Sequence, residues 1–245
     1  MRVKLVVAYD GTNYCGWQIQ PNGITIEEML NKHLSELLGE HIVVTGASRT
    51  DSGVHSLGNV AVFDTNTKMP AEKISFALNQ RLPEDIVVQD SCQVEDDFHP
   101  RFSKSIKTYE YKILNRKFRL PLERNTSYFY HHLLDVEKMQ QAAAYLVGEH
   151  DFSSFSSVHA QTNTFVRTIY SLEVTKEKDM ISIRVTGNGF LYNMVRIIAG
   201  TLIQVGAGMI EPEEMERILA GKDRELAGPT APAHGLTMIG IEYVS

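Results

Sequence analysis

The sequence predicts an α+β fold in which one order of elements, β-α-β-β-α-β, is used twice. Three observations predict it. Several short runs alternate apolar and polar residues as strands do, and other runs repeat apolar residues every three or four positions as helices do. The two halves of the chain carry these runs in the same order, with no obvious identity between them, so the repeat is architectural.

Each element has its own justification. Arg2 to Asp10 alternates, with Val3, Leu5, Val7 and Tyr9 on one side, and Asp10-Gly11-Thr12-Asn13 turns the chain. Thr25 and Glu28 have the spacing of a capping box, with Ile24 and Met29 placed as its staple. The helix they open carries Ile26, Met29, Leu30, Leu34, Leu37 and Leu38 on one face and stops at Gly39. Two strands, Ile42 to Thr45 and Val60 to Phe63, then flank a turn. Pro70 opens a second helix through Ile74, Ala77 and Leu78, Pro83 closes it, and Ile86 to Val88 reads as a strand.

The second half begins with Lys107 to Leu114, which puts Tyr109, Tyr111 and Ile113 on one face. Asp135 caps a helix with Val136, Met139, Ala143 and Leu146 on one side and Gly148 near its end. Strands follow around Ile169 to Val174 and Met180 to Val185. A helix from Phe190 aligns Leu191, Met194, Val195, Ile198, Leu202 and Val205, which leaves Arg196 off the stripe. A helix from Glu211-Pro212 to Leu219 and a strand from Ile239 to Tyr243 complete the order. The expectation is two ferredoxin-like subdomains, 1–100 and 101–245, forming a continuous mixed or antiparallel central sheet with helices on one side. The face left open is a platform of the kind sheet-based RNA binders use.

Composition narrows the function. The 245 residues are 43% hydrophobic, enough for a proper core, and the net charge of -6 gives no general attraction to nucleic acid. Cys15 and Cys92 are too few for a disulfide framework or thiolate cluster, which points to a reducing cytoplasm. The opening Met1-Arg2-Val3-Lys4 runs into a strand pattern, so no signal peptide is expected, and the longest apolar stretch, Phe190 to Val205, is broken by Asn193, Arg196, Gly200 and Gln204. A soluble protein is expected. The nine histidines show no metal-ligand spacing. Gly187-Asn188-Gly189 resembles a phosphate-binding turn but lacks the third glycine and the lysine, so it reads as a helix start.

Chemistry gathers at Gly46-Ala47-Ser48-Arg49-Thr50-Asp51-Ser52-Gly53-Val54-His55, the turn between two strands. If the chain is extended there, Arg49 and Asp51 point the same way, so that Arg49 can hold Asp51 ionised and still donate to a phosphate. The same residues also suit a turn in which Asp51 only bonds its own backbone. A second gathering lies between Arg101 and Arg124, where eight basic residues face only Glu110 and Glu123. Phe98, Phe102, Tyr109, Tyr111 and Phe118 are interleaved with it, as suits phosphates and unstacked bases, or equally a lysine-guarded strand edge over a tyrosine core.

Ser48-Arg49-Thr50-Asp51-Ser52-Gly53-Val54-His55 resembles the catalytic signature of the tRNA pseudouridine synthase A family. The likeness continues in order through Tyr9 to Gln18, Asn79 to Ile86, Asp97 to Ser103, Thr108 to Tyr111, Gly148 to Phe155, Phe190 to Arg196 and Ala231 to Leu236, covering nearly the full chain. Ala47-Ser48 departs from the glycine usual before the Arg-Thr-Asp triplet. The resemblance implies the pseudouridine synthase fold, with a cleft between its two subdomains. It implies isomerisation of uridine to pseudouridine in the anticodon stem-loop of tRNA, at position 38, 39 or 40 of that RNA. No cofactor, metal, DNA or membrane is implied, and the enzyme is expected to be a cytoplasmic homodimer.

By the same match, Asp51 is the nucleophile, which adds to the ribose or promotes a glycal route. Arg49 fills the space left by the extruded uridine or holds its phosphate, and Arg196 pairs with Asp51. Tyr109 stacks on the uracil and can take the C5 proton, while His55, His99 and Arg101 shape the cleft or contact RNA. Two other readings compete. An aspartic peptidase would use Asp51-Ser52-Gly53 but needs a second such triplet, which is missing. A non-catalytic RNA-binding protein would use the open sheet and the basic segment, with Asp51 dispensable.

Overall fold

The computed structural model describes residues 1–157 and 162–244. Among them are ten strands, mostly antiparallel, and five α-helices, the expected α+β class. Two compact units emerge, one of residues 1–104 with 238–245 and the other of residues 105–237. The expected boundary fell at 100/101, with the last strand assigned to the second unit.

The first unit contains β1 (Arg2–Tyr9), α1 (Ile26–Leu38), β2 (Thr45–Gly46), β3 (His55–Asp64), α2 (Ala71–Asn79), β4 (Ile86–Val94) and most of β10 (Leu236–Tyr243). Its strand order is β4-β1-β3-β10, with β2 antiparallel on β3. Val3, Leu5, Val7 and Tyr9 of β1 turn one face into a core with Ile26, Leu30 and Leu34 of α1 and Ile74 and Leu78 of α2. Each such aliphatic side chain contributes about 1.5–3 kcal/mol when fully buried.

The caps of α1 are those expected. Thr25 accepts from the Glu28 N–H, and Gly39 takes the left-handed conformation at φ 69°. The staple does not close, because Ile24 remains 56% exposed. The strand expected over Ile42 to Thr45 shrinks to Thr45–Gly46. The reason lies in α1: Ser35 Oγ accepts the Ile42 N–H at 2.9 Å and Asn31 Oδ1 accepts that of Val44 at 2.8 Å. Helix side chains thus take the donors that a ladder would need.

The second unit contains β5 (Ser105–Asn115), β6 (Tyr128–Tyr130), α3 (Val136–Ala144), β7 (Gly148–Asp151), β8 (Val166–Glu177), β9 (Met180–Gly187), α4 (Met194–Gly206) and α5 (Glu214–Gly221). Its order is β5-β9-β8-β7, with β6 parallel on β5. Tyr109, Tyr111 and Ile113 face Val185, Ile183 and Ile181 across the β5–β9 ladder, and all six are buried. That pairing settles the role of Tyr111, which is core rather than a platform for bases. Asp135 caps α3 by accepting the Lys138 N–H at 3.1 Å. The helix expected from Phe190 starts at Met194, because Asn193 is left-handed at φ 62° and cannot continue a right-handed helix.

Candidate active site

The loop between β2 and β3 is clamped from both sides. On the β3 side, the Ala47 N–H donates to Val60 O at 2.8 Å and Asn59 Nδ2 donates to Ser48 O at 3.0 Å. On the other, the segment after β1 supplies most of the partners. The hydroxyls of Tyr9 and Thr50 lie 2.8 Å apart, and the Trp17 N–H donates to Thr50 O at 3.1 Å. Ser52 Oγ and the Gly53 N–H both donate to Tyr14 O, at 3.2 and 3.3 Å, and the Val54 N–H closes a turn on Asp51 O at 3.1 Å.

Two glycines make this approach possible. A Cβ on Gly11 would lie 2.0 Å from Val54 O, and one on Gly16, at φ 83°, would lie 2.5 Å from Thr50 O. Gly16→Ala therefore combines a left-handed alanine with a backbone clash, and is expected to destabilise the protein by about 2 kcal/mol or more. Urea unfolding checks this; a midpoint equal to wild type would show that the clamp is dispensable. Beside Gly11, His55 Nδ1 accepts the Gly11 N–H at 3.1 Å and also lies 3.1 Å from Asp10 Oδ1. One nitrogen cannot accept from Gly11 and donate to Asp10 together.

Burial alternates along the clamped stretch. Ser48 and Thr50 are buried, Arg49 is exposed and Asp51 is half-buried, the pattern of an extended chain with residues 49 and 51 on one side. The expected hold of Arg49 on Asp51 does not form, for Arg49 has no hydrogen bond or ion pair among the described residues. Its charged neighbour is Arg101, which donates to Gly46 O at 3.5 Å. Burial and then repulsion from Arg49 pull the Arg101 pKa below its ordinary value, against the attraction of Glu27. Arg49 and Arg101 thus lie close enough for their charges to repel.

In the second unit, Tyr109 is 8% exposed and meets Phe190 edge to face at 5.3 Å. Arg196, in the first turn of α4, donates through Nε to Ala231 O at 2.7 Å and through Nη1 to Asn193 Oδ1 at 2.9 Å. The Ala231 N–H returns a bond to Arg196 O at 3.0 Å, so the arginine and the 231–235 loop hold each other. Burial drives the Tyr111 pKa far up although nearby Arg196 acts to lower it, and the Tyr111 hydroxyl donates to Pro232 O at 2.9 Å.

The residues that fix this geometry were not foreseen as functional. Asn193 falls inside the expected helix, although Asn is among the few residues that tolerate the left-handed conformation it takes here. Tyr9, Trp17 and Ala231 act through contacts distant in sequence, which no local pattern announces. Among the described residues no group of three His, Cys, Asp or Glu could hold a metal ion, and no helix is long and apolar enough to cross a membrane. His159 lies outside the described residues.

Comparison with known proteins fits this arrangement. The family model described as tRNA pseudouridine synthase matches residues 5–103 and 142–244. The chain is 52% identical over 241 residues to tRNA pseudouridine synthase A of Thermoanaerobacter sp. (strain X514), covering 98% of this chain and 99% of that one. It is 51% identical over 243 residues to the protein of that name from Ruminiclostridium cellulolyticum, with 99% of each chain covered. The protein of that name from Clostridium acetobutylicum is 47% identical over 241 residues, 98% of this chain and 99% of its own. A solved Cbf5-Nop10-Gar1 complex aligns with 98% of this chain and 48% of that chain at 13% identity and a TM-score of 0.36, too slight a likeness to bear on the fold. More than half of the chain matches the family model and nearly all of it matches these relatives: it belongs to the tRNA pseudouridine synthase family, isomerases acting on tRNA uridines.

Proposed function

We propose that the protein converts uridine to pseudouridine in the anticodon stem-loop of tRNA, as a cytoplasmic homodimer, with Asp51 as the nucleophile. The observation that carries this reading is the half-buried Asp51 on a loop clamped at both ends, with Arg49 on the same side of the extended chain and Arg101 near Arg49. The reaction breaks the bond from N1 to the ribose C1′, turns the uracil over, and joins C5 to C1′. N1 gains a proton and C5 loses one, so no atom or electron is exchanged overall. A carboxylate at Asp51 either adds to C1′ as the uracil departs or promotes a glycal intermediate. Arg49 and Arg101 hold an RNA phosphate, which supplies the anion that their mutual repulsion calls for. Tyr109 and Arg196 contact the target uridine, Tyr109 by stacking and by taking the C5 proton.

The direct test incubates the protein with unmodified tRNA transcripts and maps the uridines that change. Pseudouridine confined to the anticodon arm supports the reading, and none there overturns it. The joint change Arg49→Gln and Arg101→Gln is expected to weaken tRNA binding at least about tenfold and to reduce the slope of log affinity against log salt by about 1 to 2. A wild-type slope would place the phosphate contact elsewhere.

A further inference from the structure

The excursion from the end of β5 to the start of β6 encloses a cavity of about 340 Å³, a size at the lower end of small-molecule sites. Its floor is apolar and firm. Leu114 and Ser127 are buried, and Ser127 is tied to Glu123 O through both its N–H, at 3.1 Å, and its hydroxyl, at 3.0 Å. Asn115, 2% exposed, holds the strand beyond by donating to the carbonyls of Tyr130 and His132 and accepting the Leu134 N–H. The cavity is therefore built into the backbone rather than formed on demand.

Its walls carry rings and cations together. Tyr128 meets His234 edge on at 6.3 Å, and the Arg119 guanidinium lies 5.1 Å over the ring of Phe129. Arg119 has no hydrogen bond or ion pair among the described residues, so its donors are unspent. Arg124 gives one bond to Pro121 O at 3.0 Å. The one carboxylate in the lining, Glu123, accepts from Thr126 Oγ1 at 3.1 Å. Flat rings, an apolar floor and two guanidinium groups together suit a ligand with a flat base and an anionic group.

Position gives the ligand its source. His234 sits in the 231–235 loop, whose Ala231 holds Arg196 and whose Pro232 accepts from Tyr111, and Tyr128 is near enough to Tyr111 to affect its titration. The cavity thus adjoins the Arg196 network within one unit. We infer that it binds a nucleotide of the RNA substrate beyond the target uridine, the phosphate on Arg119 and Arg124 and the base against Tyr128 and His234. This rests on the tRNA reading above.

The test compares the full-length wild type with Arg119→Gln/Arg124→Gln, Tyr128→Ala and Arg119→Lys. Affinity for an unmodified tRNA transcript is measured across a salt series, with turnover measured separately. The double variant is expected to bind about tenfold or more weakly, with its salt slope reduced by about 1 to 2. Tyr128→Ala is expected to lose about five- to a hundredfold in affinity with an unchanged slope. Arg119→Lys should keep the slope and lose affinity, which a merely misfolded protein would not do. Wild-type affinity and slope in the double variant would overturn the inference. So would a change in oligomeric state, which would make the cavity a protein contact, or protection of the wild type by uridine monophosphate with tRNA affinity untouched in every variant, which would make it a free-nucleotide site. A wild type that binds tRNA with this Arg119 dependence but forms no pseudouridine would sink the proposed activity and leave the cavity's role standing.

Discussion

Asp51→Asn is expected to lower pseudouridine formation at least about a thousandfold, the scale on which single catalytic residues act, while tRNA affinity stays near wild type. The amide has almost the shape of the carboxylate, and the loop is also tied to its surroundings through Ala47, Ser48, Thr50, Ser52 and Gly53. The fold should therefore survive. What disappears is the negative charge that attacks C1′, or that stabilises positive charge there as the uracil leaves, and a neutral amide supplies neither. Tritium release from tRNA labelled at uracil C5 reads turnover, and filter binding reads affinity. Retained turnover would falsify the nucleophile assignment; loss of binding in step with activity would recast Asp51 as a structural residue.

Arg196→Lys is the second large effect. The guanidinium spans two acceptors at once, Ala231 O and Asn193 Oδ1, while Ala231 answers with its own N–H. A single ammonium on a longer, looser stem cannot reproduce that fork, so one buried acceptor loses its partner and the loop after it loosens. Turnover is expected to fall about a hundredfold, with a smaller stability loss of about 1–3 kcal/mol. Measured kcat and urea midpoints separate the two. Equal activity in the lysine variant would show that only the charge matters, and a stability loss without an activity loss would confine Arg196 to packing.

The difference between what the sequence disclosed and what it withheld follows the range of the interactions. Thr25, Gly39 and Asp135 act within a few residues of themselves, and each was readable as a cap. Tyr109, Tyr111 and Ile113 declared their shared face because strand alternation is local, although Tyr111 proved to belong to the core. The short strand after α1 was misread because Asn31 and Ser35 intercept its donors from a helix turn away. β6 and β7 escaped notice as well. The first is three residues pairing parallel with a strand already well defined, and the second begins at Gly148, which looked like a helix stop. At the site, the Asp51 turn was legible as a motif, whereas Arg101 as the neighbour of Arg49 depends on the long intervening stretch folding first.

The return of β10 to the first unit has a consequence for biosynthesis. Met238 is wholly buried, the Tyr243 hydroxyl donates to Pro100 O at 2.8 Å, and the Val244 N–H reaches Lys104 O at 3.1 Å. A nascent chain released from the ribosome only as far as residue 237 would carry a strand edge on β3 with nothing yet to cover it, and exposed edges invite wrong pairing. Ribosome-stalled intermediates should accordingly stay protease-sensitive in their first hundred residues until the final segment has emerged.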